Sequence, residues 1–209
     1  MTKISIIGLG SMARALGARA VASGHDVEII GRDATRAAAL AADLGGGATA
    51  DSVGAGAPAG DIVILAVPYA SATSIVSDYG SALAGKVIVD ITNPFDPAHT
   101  ALLTPRDSSA AQQIAAAAAE GAPVVKAFNT LFADVVATGE TQGHPVDVFI
   151  AGDDVEAKAA VSAFVTSLGL RPLDTGDLAF AHWLEGAGLL ILGQAIQRED
   201  FGLSVKILG

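Results

Sequence analysis

Residues 5–33 read SIIGLGSMARALGARAVASGHDVEIIGRD, and this stretch decides the fold. Residues 4–7 are a short, β-rich apolar run that stops at Gly8. Residues 11–23 read as a helix ended by Gly24, and residues 25–30 as a second strand. Between the first strand and the helix, Gly8-Leu9-Gly10-Ser11-Met12-Ala13 fits G-x-G-x-x-A. In that pattern the first glycine makes a tight turn and the second lets backbone approach a pyrophosphate. The small last residue lets the helix pack on the strand. The amides of Ser11, Met12 and Ala13 then face outward at a helix N-terminus, which favours an anion. The pattern alone is a weak signal. Its place after a strand, at the start of a helix and ahead of a second βα unit is the context that dinucleotide binding requires.

The end of the stretch selects the dinucleotide. A site for NAD usually ends its second strand with Asp or Glu, which holds the ribose hydroxyls. Here that position is Gly31, followed by Arg32. Asp33 is better read as the N-cap of a helix starting at Ala34. Arg32 and Arg36 can then both point at a 2′-phosphate, with Thr35 adding a hydroxyl contact. Their alternative role is that of solvated helix-end residues. The reading is NADP(H).

Strand and helix patterns alternate along the rest of the chain. Residues 61–67, 86–92, 123–128, 146–152 and 170–173 read as strands. Helices are expected at about 34–44, 70–79, 109–121, 155–168 and 177–199, with Ser108 or Ser109 and Asp153 or Asp154 as caps. Residues 45–60 are small and nearly featureless, with a weak third strand and a degenerate short helix expected. Residues 94–107 form a proline-rich loop of a length suited to a cover. Continuous apolar strands between helices predict an α/β fold, a doubly wound, mostly parallel Rossmann sheet with helices on both faces.

Ligands in such sheets bind beyond the carboxyl ends of the strands. Ala66, Val67 and Pro68 end the fourth strand, and Asn93 before Pro94 ends the fifth. Ala127, Phe128 and Asn129 end the sixth. Asn93 and Asn129 are candidate walls of a nicotinamide pocket, although each alone also suits a turn or cap. Asp90 and Lys126 are charges inside apolar strands, and buried charges pair. A structural Asp90–Lys126 contact is therefore expected. Among the scattered histidines His182, with Glu185 three residues on, is the best acid candidate, but a surface or packing role suits it better.

The formal net charge of −10 argues against binding a nucleic acid. With no cysteine there is no thiolate nucleophile and no cysteine metal site. No catalytic side-chain cluster or metal-ligand set is apparent. No apolar run in the sequence approaches the roughly 20 residues that span a bilayer, and the N-terminus does not read as a signal peptide. A cytoplasmic protein without a membrane partner is expected.

Five blocks, ISIIGLGSMARALG, GHDVEIIGRD, DIVILAVPYAS, VIVDITNPF and VVKAFNT, resemble the NADPH-dependent coenzyme F420 reductase-like family in order and spacing. That family includes F420:NADP oxidoreductases, small NADP-binding reductases and the cytosolic domain of the STEAP metalloreductases. The resemblance covers most of the chain. It implies a Rossmann domain at 1–175 with a helical segment at 176–209 packed on it, often as a homodimer. It also implies hydride transfer between NADP(H) and a small-molecule acceptor, coenzyme F420 or a flavin. Two other functions remain open, reduction of a small carbonyl or imine and a non-catalytic NADP(H) redox sensor.

Overall fold

In the computed structural model, which describes residues 2–208, eight strands form one sheet in the order β10-β9-β6-β5-β4-β1-β2-β3. The first six in sequence are β1 (Lys3–Ile7), β2 (Asp26–Gly31), β3 (Thr49–Ser52), β4 (Ile62–Leu65), β5 (Val87–Asp90) and β6 (Val124–Lys126). All of these run parallel. β9 (Asp147–Gly152) joins β6 antiparallel, and β10 (Arg171–Gly176) runs parallel to β9. The carboxyl ends of six strands therefore share one rim. Strand order reverses between β1 and β4, the crevice where open α/β sheets take ligands.

The apolar strands send side chains alternately to the two faces, and each face has its own cluster. On one, Ile4, Ile6, Ile29 and Ile64 pack with Leu16 of α1 (Ser11–Ala22), Leu40 of α2 (Ala34–Leu44), Val135 of α5 (Ala133–Thr138) and Phe164 of α6 (Val155–Ser167). On the other, Ile7, Ile30, Val63, Leu65 and Ile88 meet Val76 of α3 (Tyr69–Tyr79), Ile114 of α4 (Ala110–Ala117) and Ala181 of α7 (Ala181–Arg198). Burying each Ile or Leu contributes about 1.5–3 kcal/mol relative to exposure. Ser5 interrupts the apolar run of β1 yet is fully buried, because it donates to Glu28 and accepts from the Gly60 amide at 2.8 Å. Asp33, Ser109 and Asp154 cap α2, α4 and α6 through the amides of Arg36, Gln112 and Ala157.

Four features depart from the sequence reading. Residues 45–60 contain β3 but no helix; its place is taken by turns around Gly54, whose φ is 82°. Between β6 and β9 lie the short α5 and a hairpin of β7 (Glu140–Thr141) and β8 (His144–Pro145). A six-residue helix spans only about 9 Å, against about 20 Å for a six-residue strand. After this short helix and the hairpin, β9 pairs with β6 antiparallel. A short 3-10 turn, Gly80–Leu83, follows α3. Finally, Leu178–Arg198 is long and apolar enough to cross a bilayer by length and composition only. The uninterrupted-run criterion missed it because glycines and polar residues break the run. Its inward side, including Leu184, Glu185, Gly188 and Ile191, is buried against the protein.

Candidate functional site

At the rim, beside the β1–β4 reversal, a cavity of about 520 Å³ opens. Gly8, Leu9 and Gly10 form its floor with Ala66, Val67 and Pro68, and Gly31, Arg32 and Arg36 bound another side. Gly8 has a φ of 137°, and a Cβ there would fall 2.0 Å from the Ala66 carbonyl oxygen. Only glycine lets β1 and β4 end so close together. A Cβ on Gly10 would meet nothing within 4 Å, so the second glycine leaves open space above the turn. The N-terminus of α1 has no side-chain cap and no acidic residue in its first turn. Its first amides, those of Ser11, Met12 and Ala13, therefore have no side-chain cap, and none of these three residues is among those lining the cavity. The Ala13 side chain is fully buried on the inner face of α1, as the small position of the motif requires.

Gly31 has a second physical reason. A Cβ there would lie 2.6 Å from Leu9 Cδ1 and 2.8 Å from Leu9 Cγ. The Leu9 side chain therefore packs against the position where an NAD site carries an acidic residue. Asp33 lines the cavity, but its Oδ1 accepts from the Arg36 amide at 3.0 Å and is committed to capping. Arg32 and Arg36 are exposed at the cavity wall, and neither forms an ion pair among the described residues. Thr35, also exposed, is not among the lining residues.

The sequence reading missed the wall contributed by α3. Ser71, Ser74 and Asp78, with Ile75, face the cavity at spacings of three and four residues, and Val53 closes it from the turn after β3. The three polar positions share one helix face, a stripe that is visible in the sequence but indistinguishable there from solvated surface.

Further along the rim, Asn93 and Asn129 are bonded to each other. Asn93 Nδ2 donates to the Asn129 carbonyl at 2.8 Å, and Asn129 Nδ2 donates to Asn93 Oδ1 at 3.0 Å and to the Leu184 carbonyl at 2.9 Å. Neither lines the 520 Å³ cavity, and nor do Ala127 and Phe128. Ala127 is buried, with its amide on the Asp90 carbonyl. Phe128 takes a φ of 61°, and its ring is buried edge-to-face against Phe164 in the core rather than on the rim. Only its backbone stays near the strand ends.

Beneath the asparagines lies a fully buried ion cluster. Lys126 Nζ donates to Asp90 Oδ2 at 2.8 Å, Glu185 Oε1 at 2.9 Å and the Thr92 carbonyl at 2.6 Å. The expected Asp90–Lys126 pair is present. Glu185 is its third member and was missed, because its partners are far away in sequence. Glu185 also receives the Ala110 amide at 3.0 Å and 3.1 Å, so it caps α4 from α7. His182 instead lies 3.0 Å from the Ser108 carbonyl through Nδ1. In loop 94–107 the Asp96 carboxylate accepts the amides of Ala101 and Thr100, which hold its pKa below the usual range.

A doubly wound sheet with this strand order and a glycine turn at its reversal defines a Rossmann-type fold of the dinucleotide-binding class. Residues 3–94 match the family described as NADP oxidoreductase, coenzyme F420-dependent. The F420-dependent NADP reductase of Methanocaldococcus jannaschii is 32% identical over 155 residues, covering 71% of this chain and 68% of that protein. Metalloreductase STEAP3 of Rattus norvegicus is 34% identical over 91% of this chain, which spans 37% of that protein's length. A crystal structure from Arthrobacter sp., provisionally named an F420-dependent NADP reductase, superposes with a TM-score of 0.89 over 100% of both chains at 27% identity. The chain belongs to the coenzyme F420-dependent NADP oxidoreductase family, a group of NADP-dependent oxidoreductases.

Proposed function

We propose that this protein binds NADP(H) in the 520 Å³ cavity and exchanges a hydride between its nicotinamide and a deazaflavin or flavin. The observation that carries the cofactor half is the pair of unpaired guanidiniums, Arg32 and Arg36, beside a Gly31 that Leu9 keeps free of a carboxylate. The bare N-terminus of α1 suits the pyrophosphate, with Ser11, Met12 and Ala13 supplying amides. Thr35 is close enough in sequence to add a hydroxyl to the phosphate contacts. Pro68, with Ala66 and Val67, keeps the end of β4 extended along the cofactor. Asn93, Ala127, Phe128 and Asn129 bound the nicotinamide side through side chain or backbone.

When bound, the nicotinamide supplies the hydride. The protein's part is to hold donor and acceptor rings in contact, which needs no strong acid or base. The F420-dependent names of the relatives favour a deazaflavin acceptor. Residues 1–175 are read as the cofactor-binding unit, with 176–209 packed on it. The acidic net charge favours a small-molecule partner over nucleic acid. A cytoplasmic homodimer, free of membrane, completes the proposal.

The test is anaerobic oxidation of NADPH, against NADH, with coenzyme F420 and then FMN as acceptors. Turnover with NADPH and F420 is expected. Tight NADPH binding without turnover on either acceptor would overturn the acceptor half alone.

A further inference from the structure

Helix α7 holds three glycines, and the fold of one copy accounts for one of them. At Gly188 a Cβ would fall 3.0 Å from Asn93 Oδ1 and 3.2 Å from the Asn129 carbonyl, so glycine lets the helix sit on the ends of β5 and β6. A Cβ on Gly186 or Gly193 would meet nothing within 4 Å among the described residues, and neither glycine has a positive φ. Glycine weakens a helix interior relative to alanine. Within one copy neither space nor backbone conformation calls for it at these two positions.

Both open onto one shallow groove of about 490 Å³, lined by α7 alone through Gly186, Leu189, Leu190, Gly193, Gln194 and Gln197. Trp183, Leu190 and Gln197 follow at seven-residue spacing, close to two turns, and so share this face. Trp183 and Leu190 are 69% and 70% exposed, and Ile196, three residues beyond Gly193, is 48% exposed. At about 150–250 Å² for a large side chain, these three leave roughly 400 Å² of apolar surface in water, about half of what each partner buries in a standard interface. From Ala181 to Gln197 the only residue with a formal charge is Glu185, which is fully buried on Lys126. In a chain of net charge −10, this face is where a second acidic chain can approach without meeting like charge.

We infer that this face of α7 is the interface between two copies of the chain, packed antiparallel about a two-fold axis at Leu190. In such a pair each position before 190 faces the one equally far beyond it. Leu190 meets its counterpart, Trp183 lies over Gln197, Gly186 faces Gln194 and Ala187 faces Gly193. Apart from the leucine pair, each large side chain meets a small or flexible one, and the glycines let the helix axes come close. A surface that matches itself in this way fits a second copy better than an unrelated partner. A bilayer fits it less well, because the helix runs out into Arg198, Glu199 and Asp200, which would set two carboxylates among the headgroups. The inference rests on the homodimer proposed above and names the surface that forms it.

The experiment combines sedimentation equilibrium with single-cysteine cross-linking. The unmodified protein is expected at twice 20.8 kDa. Gly193→Leu, which fills the groove with a good helix former, is expected to raise the dimer dissociation constant by about tenfold or more, the effect of one overpacked contact. Its far-UV circular dichroism should not change. The chain has no cysteine, so Leu190→Cys offers one thiol per copy. A short bismaleimide is expected to link it into a covalent dimer far faster than Ala39→Cys, an exposed control on α2. This second variant decides the matter if Gly193→Leu fails to fold. A dimer unmoved by Gly193→Leu, or cross-linking at position 190 no faster than at position 39, would overturn this surface while leaving the homodimer. A monomer at the highest soluble concentration would overturn both. A monomer that floats with phosphatidylcholine–phosphatidylglycerol vesicles would give the face to a bilayer instead. None of these readouts involves NADP(H), so failure of the cofactor reading would leave the interface standing.

Discussion

Leu9 lies over Gly31 so closely that any side chain at position 31 must displace it: an added Cβ would stand 2.6 Å from Leu9 Cδ1. The glycine turn and the end of β2 are therefore one steric unit, and on the proposed NADP(H) reading a change of cofactor at position 31 is expected to need a change at Leu9 as well. Gly31→Asp alone is expected to overpack the turn at a cost of about 1–3 kcal/mol and to gain little NADH affinity. Leu9→Ala/Gly31→Asp is expected to recover stability and bind NADH better than either single variant. Urea unfolding and NADH titration of the three variants check this.

Arg32→Ala and Arg36→Ala are each expected to weaken NADPH binding ten- to about a hundredfold, the worth of roughly 1.5–3 kcal/mol for a hydrogen bond to a charged group. NADH affinity should hardly change. Because both guanidiniums are exposed, the NADPH preference should also shrink as salt rises. Kd values for the two cofactors at low and high ionic strength decide the matter. An equal loss for NADH would remove the 2′-phosphate assignment.

Lys126→Met should destabilise the fold by about 3–5 kcal/mol, because it leaves two buried carboxylates, Asp90 and Glu185, without their cation. A lowered urea midpoint with an unchanged m-value is the expected signature. A variant as stable as the parent would overturn this reading of the cluster.

Asp147 predicts a pH dependence. Burial acts to raise its pKa, but hydrogen bonds from Arg171 and Lys206 and the Ile207 amide outweigh burial and hold it well below the usual carboxylate range. A depressed folded pKa contributes stability that is present above the unfolded value of about 3.9 and is lost as pH falls below it. Urea stability should therefore fall from pH 5 toward pH 2, and Asp147→Asn should flatten that slope. Asp147 also binds the tail through Lys206 Nζ at 2.7 Å and the Ile207 amide at 2.9 Å. The same variant should speed tryptic cleavage at Lys206.

The parts of this molecule legible in the sequence are those decided locally. The glycine turn, the caps Asp33, Ser109 and Asp154, and the continuous apolar strands each declare themselves within a few residues. The Asp90–Lys126 pair was legible because a charge inside an apolar strand needs a partner. Glu185 was not, since 59 residues separate it from Lys126 and its only local neighbour of interest was His182. The short α5 was not legible, because a six-residue helix with two adjacent valines carries little helical signal. Phe128 marked a strand end correctly, but its φ of 61° turns the ring into the core, which no spacing rule reveals.

The two outermost strands have a consequence for self-association. β3 is four residues long and largely polar, while β10 carries Pro172, which has no amide to donate, and the charged Arg171 and Asp174. Edges of this kind are poor templates for adding a strand from another chain. Copies of this protein that associate will therefore do so through helices rather than by extending the sheet. The exposed apolar side chains of α7, Trp183, Leu190 and Ile196, are the surface on which such contacts should be sought.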